Sequence, residues 1–262
     1  MTRSRVLGML RGVSRAVLGL VTCLAVLAPF GGCSGGTETG NPSFQAELSY
    51  TAYSSQPLVI GVRQPGSRAV VDSAWLDLDA VVLVNTGSCA AAGPEQVVVP
   101  ALGVGDHASG KHNLTRFELS TGSYCALDLP FVRVPSGSVQ GGQPPELERH
   151  SIMIAGALGD GTPFSLLSAA TPTAHLTADA GSFEISRSHA ETLIAFDVAA
   201  WLSNLDWGSA ERTDGAIVIS ADRNPTLLAR FEENLTSGVA LYRDADGDGK
   251  LDADPVRLAH TQ

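Results

Sequence analysis

The sequence predicts a mainly β fold, namely an antiparallel β-sandwich with two short helices and an acidic loop near the C-terminus. Three observations support this prediction. Apolar and polar residues alternate over many short runs, which is typical of strands with one buried face. Turn-forming residues separate these runs, with 28 glycines and 14 prolines in 262 residues. Strands do not alternate with long helical patterns, so a parallel α/β sheet is not expected.

The clearest predicted strands lie in the first third of the chain. Residues 44–53 alternate, and residues 74–84 carry apolar side chains at every second position. The side chains expected on one face of this second strand are Leu76, Leu78, Ala80, Val82 and Val84. Further short runs also fit strands: 97–100, 116–119, 123–134, 151–158, 163–167, 174–177, 182–185, 217–220 and 239–242.

Two segments change to a helical period. Asn224 and Pro225 are typical of a helix start, with Asn as the cap and Pro in the first turn. Four apolar residues then fall on one face: Leu227, Leu228, Phe231 and Leu235. Residues 198–207 predict a second helix, and the Gly/Pro/Ser-rich residues 135–148 predict a long surface loop.

The N-terminus has the form of a secretory signal. Four arginines and no acidic residue precede an uncharged run at residues 16–28, which is too short to span a bilayer. The following Pro29-Phe-Gly-Gly-Cys33 resembles the lipobox of bacterial lipoproteins, with Phe30 in place of the usual aliphatic residue. We expect residues 1–32 to be cleaved and Cys33 to carry lipid; the alternative is an ordinary signal that leaves Cys33 a plain thiol.

Residues 33–43 contain no aliphatic side chain and predict a flexible tether. The stretch Cys33-Ser-Gly-Gly-Thr-Glu-Thr-Gly-Asn-Pro42 resembles the mature start of many myxobacterial lipoproteins. Ser34 at the second mature position resembles lipoproteins that are sent to the outer membrane. The expected partner of this segment is therefore the lipid bilayer, reached through Cys33.

The charge of the mature chain excludes one class of partner. Loss of residues 1–32 leaves 13 basic and 27 acidic residues, a formal charge of −14. Such a surface repels phosphates, so nucleic acid is not an expected partner. The sequence identifies no protein or glycan partner.

Two cysteines are available for a disulfide, because Cys23 is removed with the signal and Cys33 is expected to carry the lipid. Cys89 and Cys125 lie in an exported context that permits disulfides, and the alternation around Cys125 places it on an apolar face. A disulfide between them is expected. The alternatives are two unpaired buried thiols or a zinc site, which has less support because no Cys-x-x-Cys accompanies them.

Six short motifs between residues 53 and 258 resemble a family of uncharacterised bacterial lipoprotein domains. They are Val71-Asp-Ser-Ala-Trp75, Ser123-Tyr-Cys125, Gly161-Thr-Pro-Phe164, Ala195-Phe-Asp-Val-Ala-Ala-Trp201, Phe231-Glu-Glu-Asn234 and Leu241-Tyr242. The resemblance implies one β-sandwich domain over residues 44–262. It implies no activity and no catalytic residue.

The strongest chemical feature is the acidic loop at residues 244–254. Aspartates stand at positions 1, 3, 5 and 9 of a loop of the EF-hand type, with Gly249 at position 6, and the carbonyl of Lys250 would be the ligand at position 7. The expected calcium ligands are Asp244, Asp246, Asp248, Lys250, Asp252 and Asp254, the last replacing a Glu where Pro255 stands. The alternative is a solvated acidic turn. Calcium here would have a structural role.

Motifs of common enzymes are missing, including the Gly-x-Ser-x-Gly elbow, His-Glu-x-x-His and the phosphate loop. Asp77 and Asp79 are expected to be solvated polar residues of a strand. His107 and His112, which lie close to each other in sequence, are expected in a solvated loop. The favoured function is therefore a membrane-anchored, calcium-stabilised, non-enzymatic β-sandwich for binding or structural roles. The alternative is a surface hydrolase of polysaccharide or peptide, with its cleft under residues 135–148.

Overall fold

Two β-sheets make up most of the protein, which confirms the predicted β-sandwich class. The computed structural model describes these residues: 43–52, 58–61, 68–90, 96–99, 103–108 and 113–262. They belong to one compact unit, Gly40–Gln262. The predicted signal, the lipid-bearing Cys33 and the tether up to residue 42 lie outside the described residues. Ser43, predicted as the end of the tether, is the first residue of a strand.

The larger sheet has ten strands. They are β1 (Ser43–Ala52), β4 (Val81–Asn85), β5 (Gln96–Val99), β7 (Asn113–Ser120), β8 (Gly122–Pro130), β11 (Thr173–Ala178), β12 (Phe183–Ile185), β13 (Glu191–Phe196), β16 (Val239–Arg243) and β17 (Arg257–Thr261). The strand order is β5-β4-β8-β11-β17-β16-β13-β1-β7, and β12 also pairs with β8.

The smaller sheet has seven strands. They are β2 (Leu58–Gly61), β3 (Arg68–Leu78), β6 (Gly103–Asp106), β9 (Ile152–Leu158), β10 (Pro163–Ser168), β14 (Arg212–Thr213) and β15 (Ala216–Ile219). The order is β14-β15-β10-β9-β3-β2, and β6 also pairs with β3. Pairing in both sheets is mainly antiparallel, with parallel exceptions at β1–β13 and β10–β15.

The predicted strand at 74–84 is two strands in two different sheets. The chain leaves β3 at Leu78, turns a corner at residues 79–80, and enters β4 at Val81. The corner reverses the alternation, because Val81 and Leu83 are buried while Val82 and Val84 are only half-buried. The prediction that Val82 and Val84 share the core face with Leu76 and Leu78 is therefore wrong.

Two of the three described α-helices begin at the predicted positions, and the short helix at Thr86–Ala90 was not predicted. The described helices are α1 (Thr86–Ala90), α2 (Val198–Ser203), α3 (Pro225–Asn234) and the 3-10 turns Pro145–Leu147 and Trp207–Ser209. Asn224 precedes α3 but does not cap it; its side chain bonds Glu211 and Val218 instead. Asp197 does cap α2, by accepting from the Ala200 N–H at 2.8 Å. None of the described helices is long and apolar enough to cross a bilayer.

Buried apolar side chains from both sheets form one core cluster. Trp201 is fully buried at its centre, with the rings of Phe131, Phe196 and Phe231 at centroid distances of 5.9–6.3 Å. The expected disulfide between Cys89 and Cys125 is present and ties α1 to β8, with Cα atoms 6.4 Å apart.

Candidate cation site at the acidic loop

The acidic loop connects two neighbouring antiparallel strands of the larger sheet. β16 ends at Arg243 and β17 begins at Arg257, and the Arg243 N–H donates to the Val256 carbonyl at 2.9 Å to close the loop. At the first loop residue, the Asp244 N–H donates to the Glu191 carbonyl at 3.3 Å. The loop is therefore anchored at its base to β13 as well as to its own hairpin.

Three aspartates converge inside this loop. Asp244, Asp246 and Asp248 each offer a carboxylate oxygen, and these oxygens lie within 4.8 Å of one another. Gly247 and Gly249 have φ of 68° and 69°, the left-handed conformation that lets the chain curl so tightly. The structure thus contains a group of carboxylates that could hold a metal ion.

Local hydrogen bonds keep the three carboxylates turned inward. The Asp246 carboxylate accepts from the Asp248 N–H at 3.2 Å, and the Asp248 carboxylate accepts from the Lys250 N–H at 2.8 Å. The Asp244 carboxylate accepts from the Gly249 N–H at 3.0 Å through Oδ2. These short-range bonds are set by the order of residues in the loop, which is why the sequence predicts the convergence.

Asp244 is the most unusual member of the group, because it is only 2% exposed. Its Oδ1 is buried and has no hydrogen-bond partner in the part of the chain that the structure describes. Burial raises the pKa of Asp244; the N–H groups of Gly249 and Gly247 lower it, and the charges of Asp246 and Asp248 raise it further. A buried carboxylate oxygen without a partner is costly, and a cation among the three carboxylates would satisfy it.

Lys250 contributes a positive charge at the rim of the group. Its Nζ donates to Asp248 Oδ2 at 2.8 Å, and this bond raises the pKa of the Lys250 ammonium. The Lys250 side chain is mostly exposed, so the ion pair is weak. It neutralises one of the three aspartates at most.

Two predicted ligands are not part of the group. The converging set contains neither Asp252, expected at position 9, nor Asp254, expected to replace the last ligand. Leu251 packs against a small apolar cluster of β13 and β16, formed by Leu193, Ala195, Ala240 and Tyr242, and β17 rather than a helix follows the loop. An EF-hand helix returns the last ligand to the ion, whereas the described residues that follow this loop form a strand.

A fourth carboxylate, which the sequence did not predict as part of the site, lies against the loop. A methyl group built on Gly247 would stand 3.3 Å from both Cδ and Oε2 of Glu191. Glu191 begins β13, a strand that the sequence analysis missed because its last five residues are all buried and show no alternation. Only the pairing of β13 with β16 brings this carboxylate to the loop.

Two other predicted polar features are more buried than expected. Asp77 is 6% exposed, and burial, with a smaller contribution from Asp79, raises its pKa to about 6. His107 is 3% exposed and stacks edge-on against Phe196 at 5.3 Å. The prediction of a solvated surface is wrong for these two residues, because both lie where the chain folds back against the core. His112 lies outside the described residues.

A pocket of about 270 Å³ is lined by Arg133 and His150, which flank the predicted surface loop at residues 135–148. Arg133, His150 and Glu232 are its charged or titratable residues. Glu232 accepts from the Ser168 hydroxyl at 2.7 Å, and His150 Nδ1 lies 2.9 Å from the Glu146 carbonyl. In the described part of the chain no hydrogen bond joins His150 to Glu232.

Comparison with known proteins finds little. No protein-family model and no curated protein matches the chain. Among solved structures, MbnP from Methylosinus trichosporium is similar with a TM-score of 0.44 and 13% sequence identity. The match covers 84% of this chain and 99% of that one. A likeness this distant transfers no residue and no activity to the present protein.

Proposed function

We propose that this protein is a non-enzymatic module of the bacterial cell envelope, held by lipid at Cys33 and stabilised by one calcium ion at Asp244, Asp246 and Asp248. The observation that carries the calcium site is the buried Oδ1 of Asp244, unpartnered among the described residues and set among converging carboxylates. The lipid anchor is supported by the lipobox-like residues 29–33 and by the tether-like composition that follows them.

The ligand chemistry favours calcium over other ions. All three converging side chains are carboxylates, and the group contains no His or Cys, which transition metals and zinc prefer. The loop backbone is curled through two glycines and can adapt to the six to eight oxygen ligands that calcium takes. Magnesium demands a more regular octahedron and keeps more of its water.

A calcium ion at this place would act on stability. The loop joins β16 to β17, and β17 in turn pairs with β11, so the ion would hold the end of a hairpin that is central to the larger sheet. With an affinity typical of extracellular modules, a Kd of about 10⁻⁴–10⁻³ M, 10 mM calcium stabilises the fold by about 1.4–2.7 kcal/mol.

The test is thermal melting of the purified protein in EDTA and in 10 mM calcium. We expect calcium to raise the midpoint by a few degrees in the wild type, and to have no effect in Asp246→Ala. Asp252→Asn is the matched control, because it removes a charge from the same loop but from outside the converging group, and it should respond like the wild type. An equal midpoint for the wild type with and without calcium would contradict the proposal.

The hydrolase alternative has less support. It requires acid–base groups that face one another across a bond to be cleaved. The pocket beside residues 135–148 supplies one carboxylate, which accepts from the Ser168 hydroxyl, and one histidine, whose Nδ1 is bonded to backbone carbonyls. We therefore do not propose a hydrolytic activity.

A further inference from the structure

We infer that Glu191 is a ligand of the same cation and supplies the carboxylate that the loop itself lacks at its last position. This inference rests on the proposed calcium site. It extends that site from one hairpin loop to two segments of the chain separated by about fifty residues, and it assigns Glu191 a specific function.

The position of Glu191 is the first argument. Its carboxylate lies against Gly247, the residue between Asp246 and Asp248, so closely that a methyl group there would stand 3.3 Å from Cδ and Oε2. The turn that carries two of the converging ligands is thus in contact with this side chain. A glycine at this point leaves space between the carboxylate and the loop backbone.

The backbone fixes this arrangement independently of the side-chain rotamer. The Glu191 carbonyl accepts from the Asp244 N–H at 3.3 Å, and the next residue, Thr192, pairs with Arg243 in the β13–β16 ladder. The Cα atoms of Glu191 and Asp244 are therefore held across neighbouring strands. A glutamate side chain has the length and freedom to turn its carboxylate toward a bound ion.

Charge is the second argument. Glu191 places a fourth carboxylate against the turn of the loop, outside the set of oxygens that lie within 4.8 Å of one another. Among the residues that the structure describes, it forms no salt bridge. Of the two nearby cations, Lys250 binds Asp248 within the group, and the Arg243 guanidinium donates to the carbonyls of His189 and Glu184. Lys250 offsets at most one of these four negative charges, and the remaining carboxylates repel one another unless a divalent ion is bound.

The chemistry of the coordination sphere is the third argument. Calcium loops of the EF-hand type end in a Glu that binds through both oxygens, and Pro255 stands at that position here. Asp252, Asp254 and Glu191 all lie outside the group of converging oxygens, but the Glu191 carboxylate contacts Gly247 at the middle of the turn that carries Asp246 and Asp248. Glu191 is exposed, and it is the carboxylate that the fold delivers to the loop from outside it. A bidentate ligand also favours calcium over the smaller magnesium ion.

The test is isothermal titration of the purified full chain with calcium chloride. We expect Glu191→Gln to raise the Kd for calcium at least tenfold. Glu191→Asp keeps the charge but withdraws the carboxylate by one methylene, so direct ligation predicts a weakened affinity for it as well. Glu233→Gln, which removes an exposed glutamate on α3, is the matched control and should bind like the wild type.

The outcomes separate the two proposals. If the wild type releases or absorbs no heat of calcium binding and its melting midpoint is unchanged, the calcium site itself is wrong. If the wild type binds calcium and Glu191→Gln binds it equally well, the site stands and the role of Glu191 is refuted. If Glu191→Gln is weaker but Glu191→Asp equals the wild type, Glu191 acts only through its charge, and ligation is refuted. Because Glu191 is exposed, all variants should melt like the wild type in EDTA.

Discussion

Replacement of Asp77 by asparagine should make the protein more stable at neutral pH. Asp77 lies near the end of β3, beside the corner where the chain passes into β4. Its N–H donates to the Ser151 carbonyl at 2.9 Å, and its carbonyl accepts from the Val132 N–H at 3.0 Å. Both backbone groups of Asp77 are therefore bonded to neighbouring segments, and its position is fixed. Only 6% of the residue is exposed, and burial raises the pKa of its carboxyl to about 6, with a further contribution from the charge of Asp79.

The magnitude follows from the pKa difference between the folded and the unfolded chain. The pKa rises from 3.8 to about 6, and each unit corresponds to about 1.4 kcal/mol, so ionisation of Asp77 costs the fold up to about 3 kcal/mol. The protonated carboxyl of Asp77 is compatible with burial, so below pH 4 the full free energy of unfolding is present. As the pH rises through 6, the free energy of unfolding falls by up to about 3 kcal/mol, and above pH 7 this loss is complete.

Asparagine has nearly the same shape and no charge, so Asp77→Asn should match the wild type at pH 4 and exceed it at pH 7.5. The gain should lie between about 1 and 3 kcal/mol. The measurement is urea unfolding of both proteins at pH 4, 5, 6, 7 and 7.5, with the difference in unfolding free energy plotted against pH. This difference cancels the titration of the carboxylates that do not interact with Asp77.

Asp72→Asn is the matched control, since Asp72 lies on the same strand but is exposed, and its unfolding free energy should follow the wild type at every pH. A difference between the Asp77→Asn variant and the wild type that stays constant from pH 4 to 7.5 would refute the reasoning. So would a variant that is less stable at pH 7.5, because the carboxylate would then be making a favourable contact in its charged form.

Two further predictions concern the cysteines. Replacement of Cys89 and Cys125 together by serine should lower the unfolding free energy by about 3–4 kcal/mol, because the disulfide spans 36 residues and restricts the unfolded chain; an unchanged urea midpoint would contradict this. Cys33→Ser should abolish incorporation of a palmitate analogue and move the protein from the membrane fraction to the soluble fraction of a bacterial host, whereas Cys23→Ser should leave both unchanged; a labelled Cys33→Ser variant would exclude this residue as the anchor.

The strands that were predictable are those with one buried face. In β1 the alternation of Phe44, Ala46 and Leu48 is visible in the sequence, and all three side chains are buried. β13 was missed because both of its faces are covered, so its sequence is a continuous apolar run without alternation. β17 was missed because it is short and begins with a charged residue. The corner at residues 79–80 was not predictable, because apolar residues continue at every second position through it. Only the tertiary structure, which places β3 and β4 in different sheets, shows that the buried positions change from even to odd residue numbers.

The acidic loop shows which parts of a site are encoded locally. Asp244, Asp246 and Asp248 converge through hydrogen bonds and glycine turns within six residues, so the sequence by itself determined that group. The tertiary structure decided the rest. It leaves Asp252 and Asp254 outside the group, buries Asp244 and places Glu191 against the loop. They depend on which strand lies beside the hairpin and on where Leu251 packs, and such contacts join residues far apart in the chain, beyond the reach of any local pattern.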